Sequence, residues 1–201
     1  MSTVRLTMGQ ALVRYLCNQY TVIDGKKEPL FAGLFGIFGH GNVTCISEAL
    51  EAVQDKLPTW RGQNEQTMAH TAIAFAKASK RRRAMAVTSS IGPGATNMVT
   101  AAALAHVNRL PLLLIPGDVF ANRGPDPVLQ QIEDFDDGTV SANDCFKPVS
   151  RYFDRISRPE HLLTALPRAM QTMTDPVKCG PVTLAFCQDV QAEAFDYPDS
   201  F

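Results

Sequence analysis

What this sequence lacks narrows it before anything else does. None of its apolar runs is long enough to cross a bilayer, and the opening stretch from Met1 to Arg14 is polar and amphipathic, unlike a secretory leader. The expectation is a protein that is neither secreted nor membrane-spanning. It also lacks an excess of charge: 19 Lys and Arg face 20 Asp and Glu, so the formal charge of -1 offers no footprint to nucleic acid or an anionic membrane. Cysteine is sparse, and Cys17, Cys45, Cys145, Cys179 and Cys187 are an odd, widely spaced set with no CxxC pair and no Cys/His cluster at metal-site spacing. That pattern fits a reducing cytoplasm and gives no metal site in this chain. The histidines (His40, His70, His106, His161) are equally scattered, and only His40 sits where a ligand could use it. No internal repeat or low-complexity tract interrupts the chain. With 45% hydrophobic residues and 19% charged, 201 residues suit one substantial core better than two small ones.

What is present is an alternation of apolar strands, loops and helices. Thr7 can cap a first helix reaching about Asn18, with Ala11, Leu12, Tyr15 and Leu16 on one face. After a turn at Asp24-Gly25 come a strand at 34–38, a helix at about 43–56, a strand at 59–62 and a helix at 65–79. A strand at 84–89, a helix at 96–108 and a strand at 111–115 repeat the step, and a strand at 149–156, a helix at 159–173 and a strand at 182–186 complete it. Between them, 120–143 turns polar and reads as a mobile loop with one short helix. The cationic run Lys80 to Arg83 falls where a helix ends, and there it offsets the negative end of the helix dipole. The expected fold is α/β, a doubly wound, mainly parallel sheet with helices on both faces, over residues 1–190. Residues 191–201, acidic and containing Pro198, read as a tail or linker.

Ligands bind such sheets at the carboxyl ends of the strands, where three loops here should converge: 39–42, 63–66 and 89–97. Taken singly, each has a plain structural reading. Gly92-Pro93-Gly94 could be only a tight strand-to-helix turn, and Glu65 only a favourable first-turn acid behind an Asn64 cap.

In order, however, they resemble a known family. The strings Ile37-Phe38-Gly39, Asn64-Glu65-Gln66 with Ala69-His70 behind it, Val87-Thr88-Ser89-Ser90-Ile91-Gly92-Pro93-Gly94-Ala95-Thr96-Asn97 and Leu110-Pro111-Leu112-Leu113-Leu114-Ile115 look like the N-terminal pyrimidine-binding domain of the acetolactate synthase, pyruvate decarboxylase and benzoylformate decarboxylase group. Lys147-Pro148-Val149, Gly180-Pro181-Val182 and Gln188-Asp189-Val190 continue the likeness over nearly the whole chain. The resemblance implies the thiamine diphosphate-binding fold and assigns roles. Glu65 would activate the cofactor by hydrogen bonding N1' of its aminopyrimidine, and a carboxyl group suits that task because it passes one proton to and fro. Gly39, His40, Gly41 and Asn42 would border the cofactor pocket, while Gly92, Pro93, Gly94 and Asn97 would shape the pyrimidine site. Asn64 and Gln130 would lie on the substrate side. Asn64 stands where much of the family has histidine, and Gly41-Asn42 where Pro-Gly is common. These departures, with Asp126-Pro127-Val128-Leu129-Gln130-Gln131, resemble a branch that hydrolyses a carbon-carbon bond in a trihydroxylated cyclic 1,2-dione in inositol catabolism.

The family holds the diphosphate and its Mg2+ on a second domain that opens with Gly-Asp-Gly. The nearest string here, Asp136-Asp137-Gly138, follows no strand and reads as a solvated loop. The resemblance therefore implies a chain carrying one cofactor half of a longer enzyme, inactive alone, with the diphosphate-binding domain of the same or a neighbouring subunit as partner, a small-molecule substrate and a homo-oligomeric assembly. An acetolactate-synthase-like carboligase and a non-catalytic free-standing pyrimidine domain share the same motifs and stay open.

Overall fold

In the computed structural model, which describes residues 2–122, 124, 128–132, 134 and 136–201, the chain enters as a strand, β1 (Thr3–Thr7), and not as a helix. Thr7 then caps α1 (Met8–Cys17) reciprocally. The Gln10 backbone N–H donates to Thr7 Oγ1 at 3.2 Å, and the Thr7 N–H donates to Gln10 Oε1 at 3.0 Å. A hairpin of β2 (Tyr20–Ile23) and β3 (Lys26–Pro29) follows, turning at Asp24 and Gly25, both with positive φ as a tight two-residue turn demands.

The main body runs through β4 (Phe31–Gly36), α2 (Cys45–Glu51), β5 (Thr59–Arg61), α3 (Glu65–Ala78), β6 (Ala84–Ser89), the single turn α4 (Pro93–Thr96), α5 (Val99–Asn108) and β7 (Leu112–Asp118). A 3₁₀ stretch (Ala142–Val149) leads to β8 (Tyr152–Ile156), α6 (Leu162–Thr174) and β9 (Pro181–Cys187), and β10 (Ala194–Pro198) closes the chain. Strands β4 to β9 form one parallel sheet in the order β5-β4-β6-β7-β9-β8.

Alternation along the inner strands assigns the two faces. Ala84, Ala86, Leu113, Ile115, Val182 and Leu184 pack with Leu12 and Leu16 of α1, Leu50 of α2 and Leu166 of α6. Their neighbours Met85, Val87, Leu112 and Leu114 point to the other face, where Ala69 and Ile73 of α3, Ala102 and Ala105 of α5 and Phe146 cover them. Every residue of β6, β7 and β9 is buried, which is why these strands read as continuous apolar runs. The alanines on α3 and α5 keep those helices close to the sheet and leave little tolerance for larger side chains.

The chain runs from β4 outward to β5, then crosses back to β6 on the other side of β4. The connections that leave β4 and β6 therefore run to opposite sides, which makes the carboxyl ends of these two strands the switch point of the sheet.

Several elements differ from their sequence expectation. Residues 191–201 are packed: β10 pairs antiparallel with β1, Tyr197 is fully buried, and its hydroxyl donates to the Pro159 carbonyl at 3.0 Å. Alternation of Phe195 and Tyr197 with exposed Ala194 and Asp196 was the available signal, obscured by Pro198. The first strand of the sheet lies at 31–36 and not at 34–38, because Gly39 and Asn42 fold the following residues into a turn. The second helix is only Cys45–Glu51, flanked by turns. In place of one helix at 96–108 there are two, α4 beginning earlier at Pro93 and α5 at Val99, with Asn97 and Met98 between them. β7 continues through Pro116 to Asp118, and the stretch expected to begin a strand at 149 is still 3₁₀. Within the polar segment, Asp126, Pro127 and Glu133 lie outside the described residues.

Candidate functional site

Glu65 is the first residue of α3, placed there by Asn64, whose Oδ1 accepts the Thr67 backbone N–H at 2.9 Å and the Thr67 hydroxyl at 3.2 Å. Asn64 is thus engaged as a helix cap. Its partner Glu65 is half-buried, and its carboxylate is held from across the switch point: Asn97 Nδ2 donates to Glu65 Oε2 at 3.0 Å. Asn97 can reach because the Gly92-Pro93-Gly94 turn starts α4 at once, with Pro93 at its first position, where a missing N–H costs nothing.

The glycines have separate reasons. Gly92 has φ +65°, and a Cβ there would collide with the backbone carbonyl of Gln130, so this turn lies against the polar segment that follows β7. At Gly94 a Cβ would strike Ser90 Oγ and stand 3.1 Å from Glu65 Oε1. The glycine leaves the second carboxylate oxygen uncrowded.

The loop after β4 is built around Asn42, which is 1% exposed. Its Oδ1 accepts the Gly39 N–H at 2.9 Å, and its Nδ2 donates to the Ile37 carbonyl at 3.0 Å and Thr88 Oγ1 at 3.1 Å. The His40 carbonyl accepts the Ile91 N–H at 2.9 Å, which joins this loop to the one after β6. Gly41 has φ +101°, and a Cβ on the facing Gly117 would lie 3.0 Å from its Cα, so the loop presses on the end of β7. Gln191 Nε2 donates to the Gly41 carbonyl. The His40 ring stands 6.1 Å from the Phe120 ring; burial lowers its pKa and favours neutral imidazole, and among the described residues Nε2 has no hydrogen-bond partner.

The structure therefore brings Glu65, Asn97, Gly92 and Gly94 together, with Gln130 backbone against Gly92 and the Gly39–Asn42 loop interlocked with β6 and β7. Ser90, which lay within the matching string but was given no role, belongs to the same layer, as do Asp118 and Gln191, which had no distinguishing signal in the sequence. Cavities nearby include one of about 520 Å³ bordered by Ile37, Arg61, Gly62 and Gln63, at the carboxyl ends of β4 and β5. A larger groove of about 830 Å³, between α1, α2 and the hairpin, has Arg14, Glu48 and Lys56 on its walls and lies apart from these residues.

Chemically, the arrangement offers a carboxylate with one oxygen engaged by a fixed amide and the other beside bare backbone. A flat heteroaromatic ring bearing a ring nitrogen fits that description, because glycine backbone permits close approach and the free oxygen can exchange a proton. Among the described residues no group of three or more His, Cys, Asp or Glu could hold a metal ion, and no helix is long and apolar enough to cross a membrane. All five cysteines are free.

Residues 28–137 match the family described as thiamine pyrophosphate enzyme, N-terminal TPP binding domain. The chain is 56% identical, over its full 201 residues, to the 3D-(3,5/4)-trihydroxycyclohexane-1,2-dione hydrolase of Geobacillus thermodenitrificans, of which this covers 32%. It is 54% identical over 199 residues to the hydrolase of the same name from Shouchella clausii, covering 99% of the chain and 31% of that protein. A Bacillus cereus relative, 3D-(3,5/4)-trihydroxycyclohexane-1,2-dione hydrolase 1, is 53% identical over the full chain and 31% covered. The chain thus spans about a third of the length of these relatives.

Proposed function

Since the chain belongs to the thiamine pyrophosphate enzymes, as their N-terminal cofactor-binding domain, we propose that it supplies cofactor activation to an enzyme hydrolysing a carbon-carbon bond in a trihydroxycyclohexane-1,2-dione. The observation that carries the activating role is the Glu65 carboxylate at the head of α3, fixed through one oxygen by Asn97 and open at the other beside Gly94. The substrate class rests on identity of 53–56% that extends across the whole chain to relatives bearing that name.

Thiamine diphosphate supplies a carbon nucleophile and an electron sink once bound. Each residue here has a part in preparing it. Glu65 hydrogen bonds the pyrimidine ring nitrogen and moves the proton; Asn97 fixes the carboxylate's orientation; Gly92, Pro93 and Gly94 clear room for the ring; Gly39, His40, Gly41 and Asn42 border the pocket. Gln130 and Asn64 stand nearer the substrate, Asn64 through the helix start that it caps. In the family to which the chain belongs a second domain would hold the diphosphate and Mg2+, so these are assigned to a diphosphate-binding domain of the same or a neighbouring subunit, in a cytoplasmic homo-oligomer.

The test is made on the enzyme carrying this domain. Glu65→Gln keeps the shape but cannot shuttle the proton, so hydrogen exchange at the cofactor's reactive carbon, followed by NMR, should slow by about 10²–10⁴-fold with folding intact. Wild-type exchange rates in the variant would reduce Glu65 to a helix-start acid. Incubation with the dione and, separately, with pyruvate decides the substrate: ring opening of the dione is expected, and acetolactate from pyruvate with the dione untouched would place the chain with the carboligases.

A further inference from the structure

One side chain from the far edge of the sheet ties Asp118, at the end of β7, to Thr139, Ser141 and Asp144, at the start of the 3₁₀ stretch. Arg155, on β8, donates from Nε to Asp118 Oδ2 at 2.6 Å, from Nη2 to Ser141 Oγ at 2.7 Å and to Asp144 Oδ1 at 2.8 Å, and from Nη1 to the Thr139 carbonyl at 3.3 Å. Asp118 is 1% exposed, and its other oxygen accepts the Ser141 hydroxyl at 2.8 Å. A planar guanidinium can join four acceptors in this way, and a lysine cannot. Asp189 adds a second hold just after β7, accepting the N–H groups of Ala121 and Asn122 at 2.9 Å each.

What is held this way borders the site. The Gln130 carbonyl sits against Gly92, Phe120 stands beside His40, and the Phe120 N–H donates to Gln131 Oε1 at 3.3 Å. Among the described residues, His40 Nε2, Gln131 Nε2 and Gln188 Oε1, from the loops after β4, β7 and β9, are buried polar atoms with no hydrogen-bond partner. Native interiors leave few such atoms unsatisfied, and three at the ligand-binding end of a doubly wound sheet call for hydrogen bonds from something that enters.

We propose that Arg155 is a positioning residue for substrate selection: by fixing Asp118 and Ser141, next to Phe120 and to the Ala142 N–H that holds the Ile132 carbonyl, it holds Gln131 beside the His40 loop, and their polar groups receive the hydroxyls of a polyhydroxylated ring. This rests on the hydrolase reading above. Arg155 touches neither substrate nor cofactor, and Glu65, on α3 across the sheet, is placed independently of it.

Two measurements test the proposal. In the 201-residue chain alone, hydrogen exchange of the Phe120 and Ala142 amides should speed up at least about tenfold in Arg155→Met, because Ala142 donates to the Ile132 carbonyl and Phe120 to Gln131, next to the residues that Arg155 fixes. Unchanged exchange would overturn the clasp. In the enzyme carrying the domain, kcat/KM for the trihydroxylated dione is compared with that for unsubstituted cyclohexane-1,2-dione. Arg155→Met and Gln131→Leu should each reduce the preference for the hydroxylated ring by about tenfold or more, chiefly through KM, with Arg155→Lys recovering only part of it. Gln131→Leu keeps the question answerable if Arg155→Met fails to fold. An unchanged preference in both variants, or a fall in both substrates in step with thermal stability, would sink the selection role while leaving the hydrolase reading standing. A wild-type enzyme that opens neither ring would remove both.

Discussion

A methyl group added at Gly94 meets a serine side chain that can rotate, whereas one added at Gly92 meets the fixed backbone of Gln130 in a left-handed conformation. Gly92→Ala should therefore cost about 1–2 kcal/mol for backbone strain and about 1–3 kcal/mol for overpacking, and Gly94→Ala about 1 kcal/mol. Urea unfolding of the two variants should rank them in that order. Cofactor proton exchange should nonetheless fall in Gly94→Ala, since its new methyl crowds Glu65 Oε1; full exchange there would mean that the free oxygen is not the working one. At this scale, Glu65, Gly92 and Gly94 stood out in the sequence because residue type and order alone carried the resemblance. Arg155, Asp118 and Ser141 did not. Their partnership spans three separate elements, and an arginine alternating along an edge strand looks like any solvated charge.

Between the elements, the 3₁₀ stretch holds a carboxylate whose protonation should weaken the fold. Burial opposes the charge on Asp144, but the Ser141 N–H, the Lys147 ammonium and the Arg155 guanidinium outweigh it and hold its pKa below the ordinary carboxylate value. A depressed carboxylate contributes stability above its unfolded pKa and loses it as the pH falls through the folded one. Unfolding midpoints should therefore drop below about pH 4, and Asp144→Asn should flatten that part of the profile. An equally steep acid limb in the variant would assign the loss to other carboxylates. Element type was legible wherever periodicity was strong, as in α1, α3 and β6. Boundaries slipped where local geometry intervened: Asn42 ends β4 early, and the Gly92-Pro93 turn starts α4 ahead of the helix expected from 96.

For the whole molecule, the two-faced sheet was readable because β6, β7 and β9 are buried on both sides and so must be apolar throughout. If a second domain holds the diphosphate and Mg2+, as proposed above, most of the cofactor's charge-assisted contacts are made there. Calorimetric titration of the 201-residue chain with thiamine diphosphate and Mg2+ should give only weak binding and no turnover. Tight binding would require a diphosphate site within this chain.

The pairing of β1 with β10 also decides how the molecule yields to force. Thr3 lies opposite Pro198 and Thr7 opposite Ala194, so both ends of the chain leave from the same end of the ladder. Tension applied between them peels the rungs in succession and never shears them together. In an optical trap this two-stranded ribbon should unzip first and at low load, as a small extension that precedes rupture of the six-stranded sheet.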